Sequence, residues 1–306
     1  MNNVDLKKIG TEKRNPNTMN IDKVSTTEIL KLINNEDKTV PYAVEKEIDH
    51  IAKLVDCVVE QFYKDGRLIY VGAGTSGRIG LIDAVECRPT YSCSDEMVQC
   101  LMAGGMKAMV KAVEGAEDSK EMAVEQLKEI HLNKNDVVVG ITASGRTPYA
   151  IGAVEYAKSI GCKTGSISTS INSEIGKVAD FPIEAVTGAE PITGSTRMKS
   201  GTAQKLICNM ISTASMVKMG KVYSNLMIDV QPTNQKLVKR AQSILTQAVG
   251  ITNEEAQVYI DKYKSVKKAL FSILSGIEDT NKLDEILNRN HGNIRMCLKE
   301  VGINND

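Results

Sequence analysis

The chain contains no tryptophan, and aromatic residues make up only 4% of it, nine tyrosines and three phenylalanines. So few rings argue against a base-stacking nucleic-acid platform or a carbohydrate-stacking lectin surface. An excess of charge of either sign is missing too. Lys plus Arg and Asp plus Glu both number 38, so the basic field that nucleic acid or an anionic membrane needs is absent. No apolar run reaches the roughly 18 residues of a membrane span, and no basic-then-apolar leader opens the chain. The expected setting is therefore the cytoplasm, with neither membrane nor nucleic acid as a partner. There is no C-x-x-C pair. The seven cysteines (57, 87, 93, 100, 162, 208 and 297) are odd in number and scattered, which reads as reduced thiols and not a disulfide frame or zinc site. The three histidines, His50, His131 and His291, have no ligand spacing, so no metal is expected. Nor is there a G-x-x-x-x-G-K-[ST] loop, which disfavours nucleotide triphosphate hydrolysis.

What is present is an ordinary globular chain of 306 residues, 42% hydrophobic and 25% charged, long enough for one large or two smaller cores. Residues 1–24 are polar and read as an N-terminal tail, frayed or wrapped on a neighbour. Ser25-Thr26-Thr27-Glu28 is a capping-box helix start, and apolar spacing predicts a second helix over Tyr42–Lys64. Leu68–Val71 and Asp136–Ile141 are short apolar runs of the kind that form buried parallel strands. Val98–Ala103, Lys163–Ser168 and Phe181–Val186 are further strand candidates. Helices are expected over Met106–His131, broken near Gly115, over Tyr149–Ile160 and over Thr202–Met219. Strands alternating with helices give an α/β fold, a parallel sheet covered on both faces. The character changes near Gln231–Asn234, and only helical patterns follow. The expected division is a tail (1–24), an α/β domain with N-terminal helices (25–240) and a small helical subdomain (241–306).

Three hydroxyl-rich loops stand out. Gly72-Ala73-Gly74-Thr75-Ser76-Gly77 follows the first strand and opens a helix, an arrangement whose unpaired amides cradle anions. Its G-x-G-x-x-G spacing also matches a dinucleotide fingerprint, but the acidic partner at the end of the next strand is missing. Ser144-Gly145-Arg146-Thr147 repeats the arrangement after the second strong strand, and Thr193–Lys199 precedes the long apolar helix. Any one of these is an ordinary turn. Two on parallel strand ends converge on one place, and a small phosphorylated ligand accounts for both. Thr75, Ser76, Ser144, Gly145, Thr147, Ser195 and Thr196 are the candidate ligand contacts. Glu86 sits in the helix behind the first loop; Ala84, Val85 and a stop at Pro89 suggest a tucked position, where burial and a bound dianion favour the protonated acid. Glu114 and Glu117 are spaced i and i+3, side by side if helical.

These strings resemble one family. Thr11-Glu12-x-Arg14-Asn15, Ser25–Leu30, GAGTSGRIGLIDAVEC, AVEGAEDS (Ala112–Ser119), ASGRTPYAIGAVEYA (Ala143–Ala157) and TGSTRMKSGTAQKL (Thr193–Leu206) are similar to the N-acetylmuramic acid 6-phosphate etherases of the sugar isomerase (SIS) fold class. The chain departs from them at Arg88, where the family has proline, and at Ser200, where alanine is common. The resemblance implies a three-layer αβα sandwich on a five-stranded parallel sheet, a small UBA-like C-terminal part, and a homodimer with sites near the interface. It implies cleavage of the D-lactyl ether without metal or redox cofactor, by elimination of lactate and re-addition of water. Glu86 would be the acid and Glu117 the base, with Glu114 the neighbouring alternative. The other readings are a non-catalytic sugar-phosphate sensor similar to glucokinase regulatory protein, and an aldose–ketose isomerase of the same fold class.

Overall fold

The computed structural model describes residues 12–111, 113–230 and 235–304. Thr11, Ala112 and the expected change of character at 231–234 lie outside them. The chain divides into two compact units, one of residues 1–85 and 95–212, the other of 86–94 and 213–306.

The first unit opens with α1 (Thr26–Asp37), α2 (Val40–Glu45) and α3 (Ile48–Phe62), followed by β1 (Leu68–Gly72) and α4 (Gly74–Tyr91), whose residues from Glu86 on belong to the second unit. Then come β2 (Val98–Met102), α5 (Lys107–Val110), α6 (Lys120–Glu129), β3 (Val137–Ile141), α7 (Pro148–Ser159), β4 (Lys163–Ser168), α8 (Glu174–Val178), β5 (Phe181–Glu184) and α9 (Lys199–Lys218), whose residues from Thr213 on belong to the second unit. The capping box at Ser25 forms as its sequence dictates, with Glu28 reaching back to the cap. The five strands are all parallel in the order β2-β1-β3-β4-β5. Every residue of β1 and β3 is buried, as central strands covered on both faces must be. Ile69, Val71 and Val138 pack on one face against Ala123 and Leu127 of α6 and Tyr149, Ala153 and Ala157 of α7. On the other face Tyr70 donates from its hydroxyl to Cys208 O in α9 at 3.3 Å. α4 and α9 are joined at Asp83, which accepts from Asn209 Nδ2 at 2.6 Å and Ser212 Oγ at 3.0 Å. Burial pushes the Asp83 carboxyl above its ordinary range, and those two donors oppose the shift.

Several expectations change. From Glu12 onward the N-terminal segment is not frayed: Asn15 and Thr18 are buried and donate to Ala189 O (3.2 Å) and Pro191 O (2.8 Å). The helix expected over 42–64 is broken between Glu45 and Ile48, and that over 106–131 survives only as α5 and α6. Pro89 does not stop α4. Proline lacks the N–H that would bond Val85 O, and Val85 is 61% exposed. The helix ends at Ser92 (φ 50°), whose N–H reaches Arg88 O.

The second unit contains a hairpin of β6 (Val222–Tyr223) and β7 (Leu226–Met227), which the sequence did not signal, then α10 (Gln235–Val249), α11 (Asn253–Tyr263), α12 (Val266–Ser275), α13 (Thr280–Arg289) and α14 (Ile294–Glu300). It therefore begins upstream of the 241 expected for the helical subdomain, because Ile228 and the hairpin residues Tyr223 and Leu226 pack into the same core as Leu245, Phe271 and Leu298. Asp229 lies 2.6 Å from both Lys221 Nζ and Lys267 Nζ. No helix among the described residues is long and apolar enough to cross a membrane.

Candidate active site

The strand order reverses direction at β1: the chain passes from β1 to β2 on one side and returns to β3 on the other. Ligands collect in the crevice beyond the carboxyl ends of strands at such a switch. Gly72 and Ile141 are paired across it, so the loops after β1 and β3 start side by side.

After β1 the chain turns into α4 within one residue. The turn is tight: a Cβ on Gly77 would stand 2.6 Å from Gly72 O, and Gly74 has φ +54°. Gly77 N bonds Ala73 O at 3.2 Å, and the amides before it have no intrahelical acceptor. After β3, Thr142 Oγ1 and Thr147 Oγ1 are clasped at 2.7 Å. Thr147 stands at the cap position of α7 yet makes no side-chain cap bond, and Pro148 follows. Two helices thus present open, positively polarised N-termini to the crevice. Ser144 is half-buried, its Oγ accepting from Arg146 N at 3.3 Å. Gly145 takes φ +73°, where a Cβ would lie 2.3 Å from Ser173 Cβ.

The third loop joins the first two. A Cβ on Gly201 would lie 3.4 Å from Thr75 Cγ2 and 3.6 Å from Thr196 O. Thr169 Oγ1 donates to Ala143 O at 3.0 Å and lies 2.9 Å from Ser200 Oγ. Ser76, 8% exposed, turns its hydroxyl to Gln204 Oε1 at 3.0 Å. Ser195 and Thr196 are half-buried. The N-terminus of α9 is not open: buried Glu190 accepts from Lys199 N (2.8 Å) and Ser200 N (2.9 Å).

A cleft of about 250 Å³ lies beside the first loop, lined by Gly74, Arg78, Ala103, Ala108, Glu114 and Glu117 among others. Glu114 and Glu117 do not share a helix face, since Gly115 (φ +73°) breaks the chain between them and Glu117 falls in a short 3-10 turn, Ala116–Asp118. Both reach the cleft nonetheless. Arg78, which sequence reasoning did not single out, donates through Nε to Met109 O (3.1 Å) and through Nη2 to Ala108 O (2.7 Å). A cation directly following the Gly72–Gly77 loop was the available signal. Glu190 and Gln204 had none, because what they bind comes from the fold.

Glu86 is not tucked. It is exposed on α4 beside Ile82 and Val85, which are 53% and 61% exposed. It is not among the residues lining the cleft. Burial raises the thiol of Cys57 to about 11 and those of Cys100 and Cys162 to about 12, so none of the three is a thiolate nucleophile. No group of three or more His, Cys, Asp or Glu among the described residues is placed to hold a metal ion.

Known proteins resemble this chain in sequence and in part of the fold. The family model of the glucokinase regulatory protein N-terminal SIS domain matches residues 50–158. A putative phosphosugar isomerase involved in capsule formation from Bacteroides fragilis, at 21% identity, covers 66% of this chain and 95% of its own, with a TM-score of 0.49. The N-acetylmuramic acid 6-phosphate etherase of Clostridium botulinum strain Hall is 54% identical over 302 residues, 98% of this chain and all of its own length. That of Clostridioides difficile strain 630 is 53% identical over 297 residues, 97% of each chain. With more than half of all positions shared across nearly the whole of both chains, the chain belongs to the N-acetylmuramic acid 6-phosphate etherase family.

Proposed function

We propose that the chain cleaves the D-lactyl ether of N-acetylmuramic acid 6-phosphate, giving N-acetylglucosamine 6-phosphate and D-lactate, in the cytoplasm. The observation that carries this reading is Glu117 lining the same cleft as the open start of α4. The phosphate sits on the amides of residues 74–76 and the first turn of α7, with Thr75, Ser144, Gly145 and Thr147 beside it; Ser76, Ser195 and Thr196 support the loops. In the open-chain aldehyde the C2 proton is acidic. Glu117 removes it, the C3–O bond to lactate breaks, and an acid protonates the departing oxygen. Water then adds at C3 of the unsaturated aldehyde. A positioned acid and base each contribute roughly 10²- to 10⁴-fold.

The acid is Glu86, brought by a second copy. Ile82, Val85 and Glu86 share one face of α4 by the i, i+3, i+4 rule, and two exposed apolar residues beside an exposed carboxylate favour a homodimer contact there. The desolvation expected at Glu86 then comes from the partner and the substrate. The test is lactate release by the purified protein without added metal or nucleotide. D-lactate that disappears in Glu117→Gln supports the etherase reading. Tight sugar-phosphate binding with no lactate would instead make the chain a sensor.

A further inference from the structure

Arg78 holds α5 with two of its N–H groups, through Met109 O and Ala108 O. A guanidinium has five, in a planar fork, so three remain to serve the cleft that the side chain lines. Among the described residues lining that cleft Arg78 is the cation, while Glu114 and Glu117 are the anions, and no ion pair joins it to either. Among the described residues its charge is therefore not spent in an ion pair.

The substrate of the proposed reaction carries two anions. Its C6 phosphate has the open helix N-termini of α4 and α7. Its second anion, the lactyl carboxylate, hangs from the ether oxygen at C3, one carbon from the proton that Glu117 removes. It must enter the cleft that already holds two glutamates, where three like charges would repel. A bidentate guanidinium is the group whose geometry fits a carboxylate. We propose that Arg78 binds the lactyl carboxylate through Nη1 and the remaining N–H of Nη2, and so selects the muramyl sugar over N-acetylglucosamine 6-phosphate. Because the same guanidinium grips the carbonyls of α5, that helix is held in register with the anion. This rests on the etherase reading.

The experiment compares N-acetylmuramic acid 6-phosphate with its lactamide, in which a neutral carboxamide replaces the carboxylate, in the wild type, Arg78→Met and Arg78→Lys. Loss of charged hydrogen bonds predicts that Arg78→Met lowers kcat/KM for the acid by roughly 10- to 100-fold, and for the amide by less than about 3-fold. Arg78→Lys keeps the preference for the acid but loses part of the rate, since an ammonium has charge without the fork. Calorimetric binding of both compounds and of N-acetylglucosamine 6-phosphate is measured alongside. It reads the same preference if no lactate is released, so failure of the etherase reading is told apart from failure of this one. Equal losses on acid and amide, in rate and in binding, would overturn the proposal and leave Arg78 as a brace for α5. Equal weakening of N-acetylglucosamine 6-phosphate would overturn it in favour of a phosphate contact.

Discussion

Lys199 Nζ lies 2.8 Å from Glu36 Oε2, and both side chains are buried, 5% and 8% exposed. Lys199 also donates to Ala189 O, while Asn17 Nδ2 donates to Glu36 Oε1 at 2.8 Å. One ion pair therefore ties α1, the N-terminal segment and the start of α9 together. Removing one partner leaves a buried charge alone, at a cost of about 3–5 kcal/mol. Lys199→Met is expected to lower the melting temperature by roughly 10 °C, read by calorimetry or circular dichroism, with Glu36→Gln no worse.

The same pair sets an acid limit. Burial alone would raise the Glu36 pKa, but hydrogen bonds from Lys199 and Asn17 outweigh it and hold the carboxyl below its ordinary 4.5. A carboxyl depressed by folding stabilises the native state above its unfolded pKa, and that contribution fades as pH falls through the folded value. Stability gained from Glu36 is thus complete above pH 4.5 and lost below it. Denaturant midpoints of wild type and Glu36→Gln should converge as pH drops below 4.5; a constant gap from pH 7 to 3 would refute the linkage.

Gly77 permits the strand-to-helix turn that opens α4. Its Cβ would meet Gly72 O at 2.6 Å, and Met102 Cγ at 2.8 Å. The backbone oxygen cannot swing aside, so Gly77→Ala must push α4 away from β1. Overpacking of this kind costs about 1–3 kcal/mol. The expected signature is a several-fold rise in KM for the phosphosugar together with a modest loss of stability. An unchanged KM would mean that the first turn of α4 is not the phosphate site.

The features legible in the sequence are those written locally. Leu68–Val71 and Asp136–Ile141 announce buried strands by apolar content alone, and Ser25 with Glu28 announces a helix start by spacing. The glycines after β1 announce a turn because nothing else fits. Features that depend on what the fold brings together were not readable. Glu190 caps a helix that begins nine residues on, and Lys199 finds Glu36 from a helix at the other end of the domain. Glu86 was misread for the same reason: Ala84 and Val85 look like core, yet Val85 faces outward on a helix that Pro89 does not stop. Glu114 and Glu117 look like neighbours on one helix by their spacing, yet the chain breaks at Gly115 between them, and both line one cleft without sharing a helix face.

Glu190 makes a prediction of its own. Its carboxylate occupies the amides that would otherwise make the start of α9 a third anion site. Glu190→Gln turns a carboxamide NH2, a donor, toward one of those amides and removes a charge from a helix N-terminus, costing about 1–3 kcal/mol. If the residue is an internal stand-in for an anion, inorganic phosphate at millimolar levels should restore part of the lost melting temperature in Glu190→Gln and not in the wild type. Equal phosphate effects on both proteins would assign the ion to the β1–β3 crevice alone.

The shared-site reading of Glu86 and Glu117 separates from a single-chain one by mixing. Glu86→Gln and Glu117→Gln should each be inactive as pure proteins. Glu86→Gln should still exchange the C2 proton of the sugar in deuterated water, because Glu117 is intact; no exchange would show that the acid and base roles are misassigned. If Glu86 serves the partner's cleft, a mixed dimer pairs the intact Glu117 of one copy with the intact Glu86 of the other. Its second site lacks both. With random exchange between two-fold related copies, half the dimers are mixed and one site in each works, so lactate release should recover to about a quarter of the wild-type rate. Were both glutamates drawn from one chain, no mixed dimer would hold a complete site, and the mixture would stay as inactive as its parts.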